Sequence, residues 1–135
     1  MKVENIKFRA KRTDDGAWVY GDLTHVQRIC TKEQTEKSGR RTEPAVRIAN
    51  YDVDEETIGQ FTGLYDNSGK AVYEGDLLSG EDNNVIVVVW FDAGFCDCNS
   101  NAIVSLRELG VEDRKVIGNI YDNKELLTQE YERID

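Results

Sequence analysis

Two aspartates recur in similar company along this chain, in Val19-Tyr20-Gly21-Asp22-Leu23 and in Val72-Tyr73-Glu74-Gly75-Asp76-Leu77. A repeated carboxylate of this kind suits general acid/base work or a metal site. It suits equally well two bends, at each of which the aspartate accepts backbone N–H groups of its own turn. The bend reading is favoured, because it also accounts for the leucine after each aspartate as the opening residue of a strand. A second echo, Ile58-Gly59-Gln60 and Ile117-Gly118-Asn119, is again glycine beside a branched apolar residue.

Thiols and imidazole offer little more. Cys96-Asp97-Cys98 supplies two thiolates at close spacing, half of a tetrahedral zinc site, but His25 is the only histidine and Cys30 the only other cysteine. A closed structural site needs four ligands, so a mononuclear site is disfavoured. In a strand, Cys96 and Cys98 share one face as small, half-buried apolar groups. Three cysteines form an odd set, which fits a reducing compartment better than a disulfide framework. No nucleophile elbow, P-loop, dinucleotide-binding glycine pattern or zincin motif is present, and His25 reads as a half-buried sheet residue. The expectation is a non-enzymatic protein with no catalytic, metal or cofactor residues.

Residues suited to contact rather than to catalysis are more numerous. Aromatic side chains could line a groove for a peptide or a single strand, with Tyr65 and Tyr73 flanking the turn from Asp66 to Lys70 as the best pair. Most aromatics in a domain this small must be core. A basic set, Lys2, Lys7, Arg9, Lys11 and Arg12 with Lys32, Lys37, Arg40 and Arg41, could meet phosphates. The chain carries 17 Lys and Arg against 26 Asp and Glu, a net charge of −9 over 135 residues. Residues 1–48 hold 11 basic against 7 acidic side chains, residues 49–135 hold 6 against 19. Such asymmetry marks an electrostatic patch that pairs with a partner or a second copy, or two solvated surfaces. An acidic chain repels phosphates at long range, so nucleic-acid binding would be confined to the N-terminal part.

The elements that position these residues read mainly as strands. Ile6, Phe8 and Ala10 alternate with Lys7, Arg9 and Lys11, the period of a half-buried strand. Asp14-Asp15-Gly16 then turns the chain into Ala17–Leu23, giving a hairpin. Residues 31–44 have almost no apolar content, and predict a mobile loop or the tip of a long hairpin. Pro44 closes that segment before Ala45–Ala49 resumes as a strand. Asp54-Glu55-Glu56-Thr57 is a helix-start signal that Gly59 ends within a turn or two. Asp66-Asn67-Ser68-Gly69 is a turn between β-rich runs. Val85–Phe91 is apolar and β-branched throughout, a strand buried on both faces. Residues 94–98 and 102–106 straddle Asn99-Ser100-Asn101 as another hairpin, and residues 114–121 form a last strand. Asp122 and Glu125 have capping-box spacing, and Leu127, Tyr131 and Ile134 form one helical stripe, predicting a short C-terminal helix.

No apolar run approaches the roughly 20 residues of a membrane span, and the N-terminus lacks the features of a signal peptide. A cytoplasmic location is expected, without membrane contact.

The ordered set of segments resembles the YopX-like proteins of phages and prophages. The resemblance is carried by Ile6-Lys7-Phe8-Arg9-Ala10, Trp18-Val19-Tyr20-Gly21-Asp22-Leu23, residues 57–66 (Thr-Ile-Gly-Gln-Phe-Thr-Gly-Leu-Tyr-Asp), Gly69-Lys70, Tyr73-Glu74-Gly75-Asp76, residues 116–123 (Val-Ile-Gly-Asn-Ile-Tyr-Asp-Asn) and Leu126-Leu127. It implies a mainly β fold with an SH3-like barrel in the C-terminal half; joined to the reading of the residues, this gives a β-rich α+β chain with an N-terminal β-hairpin region over 1–57 and an SH3-like small barrel with a short C-terminal helix over 58–135, or one continuous domain. It also implies a phage or prophage origin, and brings no activity with it. One departure is Asp54-Glu55, where the family pattern has proline after the aspartate. The functional expectation is an accessory module that binds a protein partner or itself, with candidate contact residues Lys32, Lys37, Arg40, Arg41, Tyr65 and Tyr73. The alternative is nucleic-acid binding through the basic N-terminal residues and the segment 31–44.

Overall fold

A computed structural model describes residues 2–81, 84–91, 94–98 and 103–127. The strand pairs within each of its two compact units are antiparallel, and the fold is mainly β. The chain divides into two compact units, Lys7–Ile58 and a second made of Met1–Ile6 with Gly59–Asp135.

In the first unit, β1 (Phe8–Lys11) and β2 (Trp18–Gly21) form the expected hairpin, with Ala10 opposite Val19. Its turn needs Gly16 at φ 74° and is tied by the Asp15 carboxylate, which accepts from the Ala17 N–H at 2.9 Å. The alternation holds in phase, but the polar face is not simply solvated. Arg9 is only 5% exposed, and its guanidinium lies 4.8 Å from the centre of the Trp18 ring.

A second, longer hairpin follows. β3 (Leu23–Ile29) pairs with β4 (Thr42–Ile48) over seven consecutive residues, and β5 (Tyr51–Asp52) adds a short third strand. The segment 31–44 does close a long hairpin, but the expectation of a loop ended by Pro44 is corrected. Lys32–Ser38 is a helix, α1. Thr31 Oγ1 accepts from the Gln34 N–H at 3.2 Å while Gln34 Oε1 accepts from the Thr31 N–H at 2.9 Å, a reciprocal capping box. Gly39, at φ 74°, ends the helix by donating to the Thr35 carbonyl. None of its residues is buried, so no apolar stripe announced it.

Pro44 lies inside β4, opposite Gln27. The Cys30 N–H donates to the Arg41 carbonyl at 2.8 Å, which sets the ladder's alternation. Counted from there, Pro44 falls on a non-hydrogen-bonded pair, where its missing N–H takes nothing from the β3–β4 ladder. Ala49 and Asn50, at φ 51° and 66°, make the two-residue turn into β5. Asp54 then caps a single 3-10 turn, Glu55–Thr57, by accepting from the Glu56 N–H. Ala10, Ile48 and Val53 form the core of this unit, with Phe8, Val19, Leu23 and Ile58 packed against them.

The second unit opens with β6 (Gly59–Tyr65) and β7 (Ala71–Tyr73), paired across the Asp66 turn. Five strands follow in one sheet: β8 (Asp76–Ser79), β9 (Val85–Phe91), β10 (Gly94–Cys98), β11 (Ile103–Ser105) and β12 (Val116–Asn119), in the order β11-β10-β9-β8-β12. β9 is its central strand, and Ile86, Val87 and Val88 are buried in succession, as a strand covered on both faces requires. After β11 the chain makes one α-helical turn, α2 (Leu106–Leu109), and a 3-10 turn, Val111–Asp113, so the last strand is shorter than residues 114–121 suggest. The core joins Val72, Leu78, Ile86, Val88, Leu106, Val111 and Val116.

The C-terminal helix predicted from Asp122 does not start there. A 3-10 turn, Lys124–Leu126, follows Asn123 without a side-chain cap, because the Asn123 side chain instead accepts from the Asn119 N–H at 3.0 Å. Tyr131 and Ile134 lie outside the described residues, as does the turn at Asn99-Ser100-Asn101.

Candidate interaction surface

The structure gathers four of the six candidate contact residues at one place. β3 and β4 carry α1 between them, which puts Lys32, Lys37, Arg40 and Arg41 at the tip of the long hairpin, all exposed. Lys37 pairs with Glu33 at 3.2 Å across one helical turn, an exposed pair of little energetic weight. Among the described residues no carboxylate pairs with Lys32, Arg40 or Arg41. Hydrogen bonds order the short segment after the helix: Ser38 Oγ donates to the Gln34 carbonyl at 2.8 Å and accepts from the Arg40 N–H at 3.2 Å. Beside them stands Ile29 at the end of β3, 83% exposed. Sequence reasoning missed it; the available signal was an isoleucine directly before a polar segment.

Three of the other basic candidates, Arg9, Lys11 and Arg12, are engaged elsewhere. Arg9 is buried against Trp18, and Lys11 lies 5.5 Å from the same ring. Arg12 stacks 3.9 Å over Tyr51 and donates through Nε to Asp14 at 2.9 Å. That hydrogen bond raises the Arg12 pKa and lowers that of Asp14. Charge divided by structural unit also differs from charge divided by sequence. Residues 7–58 hold ten Lys and Arg and ten Asp and Glu, whereas residues 59–135 hold six against fifteen. The first unit is therefore neutral overall, and its hairpin tip, residues 31–44, carries four basic side chains against three acidic ones, Glu33, Glu36 and Glu43.

Tyr65 and Tyr73 belong to the second unit and do not face each other across a groove. Phe61 stands between them, 5.5 Å from each ring, and Tyr73 is buried while Tyr65 is half exposed. Tyr73 is a core residue.

A polar cavity of about 280 Å³ lies in the first unit, lined by Arg28, Glu43, Asp52 and Glu55 among others. Its charges are largely matched: Arg28 hydrogen-bonds Glu43, which raises the guanidinium pKa, and Arg47 Nε donates to Asp52 at 2.8 Å. His25 is exposed on β3 rather than half-buried. Among the described residues no cluster of three or more His, Cys, Asp or Glu could hold a metal ion. The side chains of Cys96 and Cys98 lie outside the described residues.

The two echoed aspartates differ. Asp22 is exposed, whereas Asp76 is 1% exposed and its Oδ2 accepts from the Tyr73 N–H at 2.8 Å. Asp66 is a heavily used carboxylate. Its Oδ1 accepts from the Ser68 N–H (2.9 Å), the Ser68 hydroxyl (2.8 Å) and the Lys70 N–H (2.8 Å), and its Oδ2 from the Val116 N–H (2.9 Å). Burial pushes its pKa up, but these hydrogen bonds outweigh burial and hold it far below the usual carboxylate range. Both buried carboxylates organise backbone.

Residues 7–128 match the family model of the YopX protein. The chain belongs to the YopX family. The segments that carried the resemblance fall largely on strands and their turns, with Trp18–Leu23 and residues 57–66 on β2, β3 and β6. No curated protein matches the sequence. Among solved structures, the crystal structure of protein EF1440 from Enterococcus faecalis is similar, with a TM-score of 0.55 and 23% sequence identity, covering 91% of this chain and 98% of that one. The likeness is one of fold. No described helix of this YopX family member is long and apolar enough to cross a membrane.

Proposed function

We propose that this YopX family member is a non-enzymatic accessory module of a phage or prophage, acting in the host cytoplasm by binding another protein through the tip of the β3–β4 hairpin. The observation that carries the reading is Ile29, 83% exposed, beside Lys32, Lys37, Arg40 and Arg41 on a helix and turn fixed by their own caps. An exposed apolar side chain next to a segment that carries four cations suits an acidic protein surface with an apolar centre. The buried carboxylates Asp66 and Asp76 are occupied by backbone N–H groups, which supports a non-catalytic role. The second unit is proposed as an SH3-like barrel: a meander of β8 to β11, whose closing strand β12 returns beside β8, has the connectivity such a barrel uses.

The same four cations keep a nucleic-acid reading in play, with the tip as its only exposed cluster among the described residues. One experiment separates the two. The tagged chain and an Arg40→Glu/Arg41→Glu variant are used to capture partners from host lysate with and without nuclease. A stoichiometric protein retained after nuclease and lost from the variant supports the protein-binding reading. Capture that disappears with nuclease moves the proposal to nucleic acid, and identical capture by both chains overturns the role of the tip.

A further inference from the structure

We propose that the outer edge of β3 pairs antiparallel with β3 of a second copy, forming a two-fold dimer centred on Val26. This specifies the self-association form of the interaction reading and uses the outer edge of β3 rather than the cations of the hairpin tip, sharing only Ile29 with that reading.

Three observations converge on it. First, β3 is the longest described strand at a sheet edge, seven residues in unbroken register with β4, and among the described residues no strand pairs with its outer side. Unpartnered edges invite pairing, and proteins usually blunt them with proline, lysine, a bulge or short length. β3, Leu-Thr-His-Val-Gln-Arg-Ile, has none of these, and its one charged side chain, Arg28, is paired with Glu43 of β4. The far side of the same hairpin is guarded, for β5 covers Arg47 and Ile48 and Pro44 offers no N–H beyond them.

Second, the alternation fixed by the Cys30 to Arg41 bond directs the N–H groups of residues 24, 26 and 28 toward β4. The N–H and C=O groups of Leu23, His25, Gln27 and Ile29 therefore face outward.

Third, the strand is palindromic in polarity about Val26. Antiparallel pairing about that residue sets Ile29 opposite Leu23 of the second copy, Arg28 opposite Thr24, Gln27 opposite His25, and Val26 opposite itself. Apolar meets apolar, polar meets polar, and no like charges meet. The exposed Ile29 gains an apolar neighbour. A shift by one residue destroys this match.

A single strand pair is a small interface, so the dimer is reversible, with a Kd on the order of 10 to 100 µM. Sedimentation velocity over a concentration series around that value should show the full chain passing from monomer to dimer. Gln27→Pro removes an outward N–H and spares the bonds to β4; it should weaken dimerisation at least tenfold, with an unchanged circular dichroism spectrum. In a chain whose Cys30, Cys96 and Cys98 are serine, Val26→Cys should cross-link to itself under mild oxidation. Its two Cα atoms would stand about 4.5 Å apart on a non-hydrogen-bonded pair. Thr24→Cys, displaced from the axis, should not. A wild-type chain that stays monomeric throughout, or Val26→Cys cross-linking no better than Thr24→Cys, overturns the proposal. The hairpin-tip reading is untouched by that failure, because Arg40→Glu/Arg41→Glu is expected to leave the dimer intact while losing its protein partner. Loss of the dimer in that tip variant would also overturn β3 pairing.

Discussion

Asp66 is a residue at which the change of one atom type should cost this protein much of its stability. Asp66→Asn keeps the three hydrogen bonds to Oδ1 in weakened, neutral form but turns an NH₂ group toward the Val116 N–H, donor against donor, in a buried place. A hydrogen bond to a charged group contributes about 1.5–3 kcal/mol, and a buried donor left unsatisfied costs about 1–3 kcal/mol. The expected loss is about 3 kcal/mol for Asp66→Asn and about 4–5 kcal/mol for Asp66→Ala, which removes both acceptor oxygens and all four hydrogen bonds. Urea unfolding followed by tryptophan fluorescence and far-UV circular dichroism measures both. The pH dependence gives an independent sign. The folded-state pKa of Asp66 is depressed, so its contribution is complete above the unfolded value of about 3.9 and is lost as pH falls below it toward the folded value. The stability gap between wild type and Asp66→Asn should be constant from neutral pH down to about 5 and shrink below about 4. A loss under about 0.5 kcal/mol, the range of ordinary surface substitutions, or a gap that widens on acidification, would refute the reasoning.

Gly59→Ala should destabilise by about 1–3 kcal/mol in urea melts, since its Cβ would stand 2.5 Å from the Glu74 carbonyl oxygen, a backbone atom that cannot swing aside. Thr31→Ala should cost about 1 kcal/mol locally, seen as faster hydrogen exchange at the amides of α1 with global stability nearly unchanged, because the capping box holds a helix with no buried residue. Ala49→Asn with Asn50→Gly should stabilise by about 1 kcal/mol in the same melts, because both positions have positive φ and the Asn-Gly pair fits such a turn.

The sequence betrayed those elements whose burial repeats along the chain. β1 and β2 were legible from alternation and Gly16, β9 from an unbroken apolar run, and the Asp54 cap from its acids. α1 was not, because a helix without a buried face leaves no periodicity. Its one mark was Thr31 three residues before Gln34, with Gly39 beyond. Pro44 misled because proline ordinarily ends a strand, and the phase of the ladder that makes it harmless depends on the partner strand. Ala49 in a positive-φ turn runs against its own preference, so nothing local announced it. At the candidate surface, the four tip cations were legible as a charged segment, whereas the burial of Arg9 and Tyr73 depended on rings that fold against them from elsewhere in the chain.

The echoes in the sequence show why recurrence of a motif is weak ground for chemistry here. Gly59 is required by the Glu74 carbonyl and Gly118 by the Asn123 side chain, which would clash with an added Cβ and which accepts from the Asn119 N–H. Two similar tripeptides thus answer to two unrelated constraints. The Gly-Asp pairs divide in the same way, Asp76 holding a backbone N–H in a core and Asp22 standing in solvent. With the buried carboxylates occupied and Arg9 and Arg12 stacked on rings, the contacts proposed for the first unit rest on its longest edge strand, β3, and on its basic hairpin tip. Both belong to the β3–β4 hairpin, so a chain with that hairpin replaced by a short turn should lose every contact proposed here while the Val72 to Val116 core of the second unit stays folded. Retained partner binding in such a chain would place the interaction in the second unit instead.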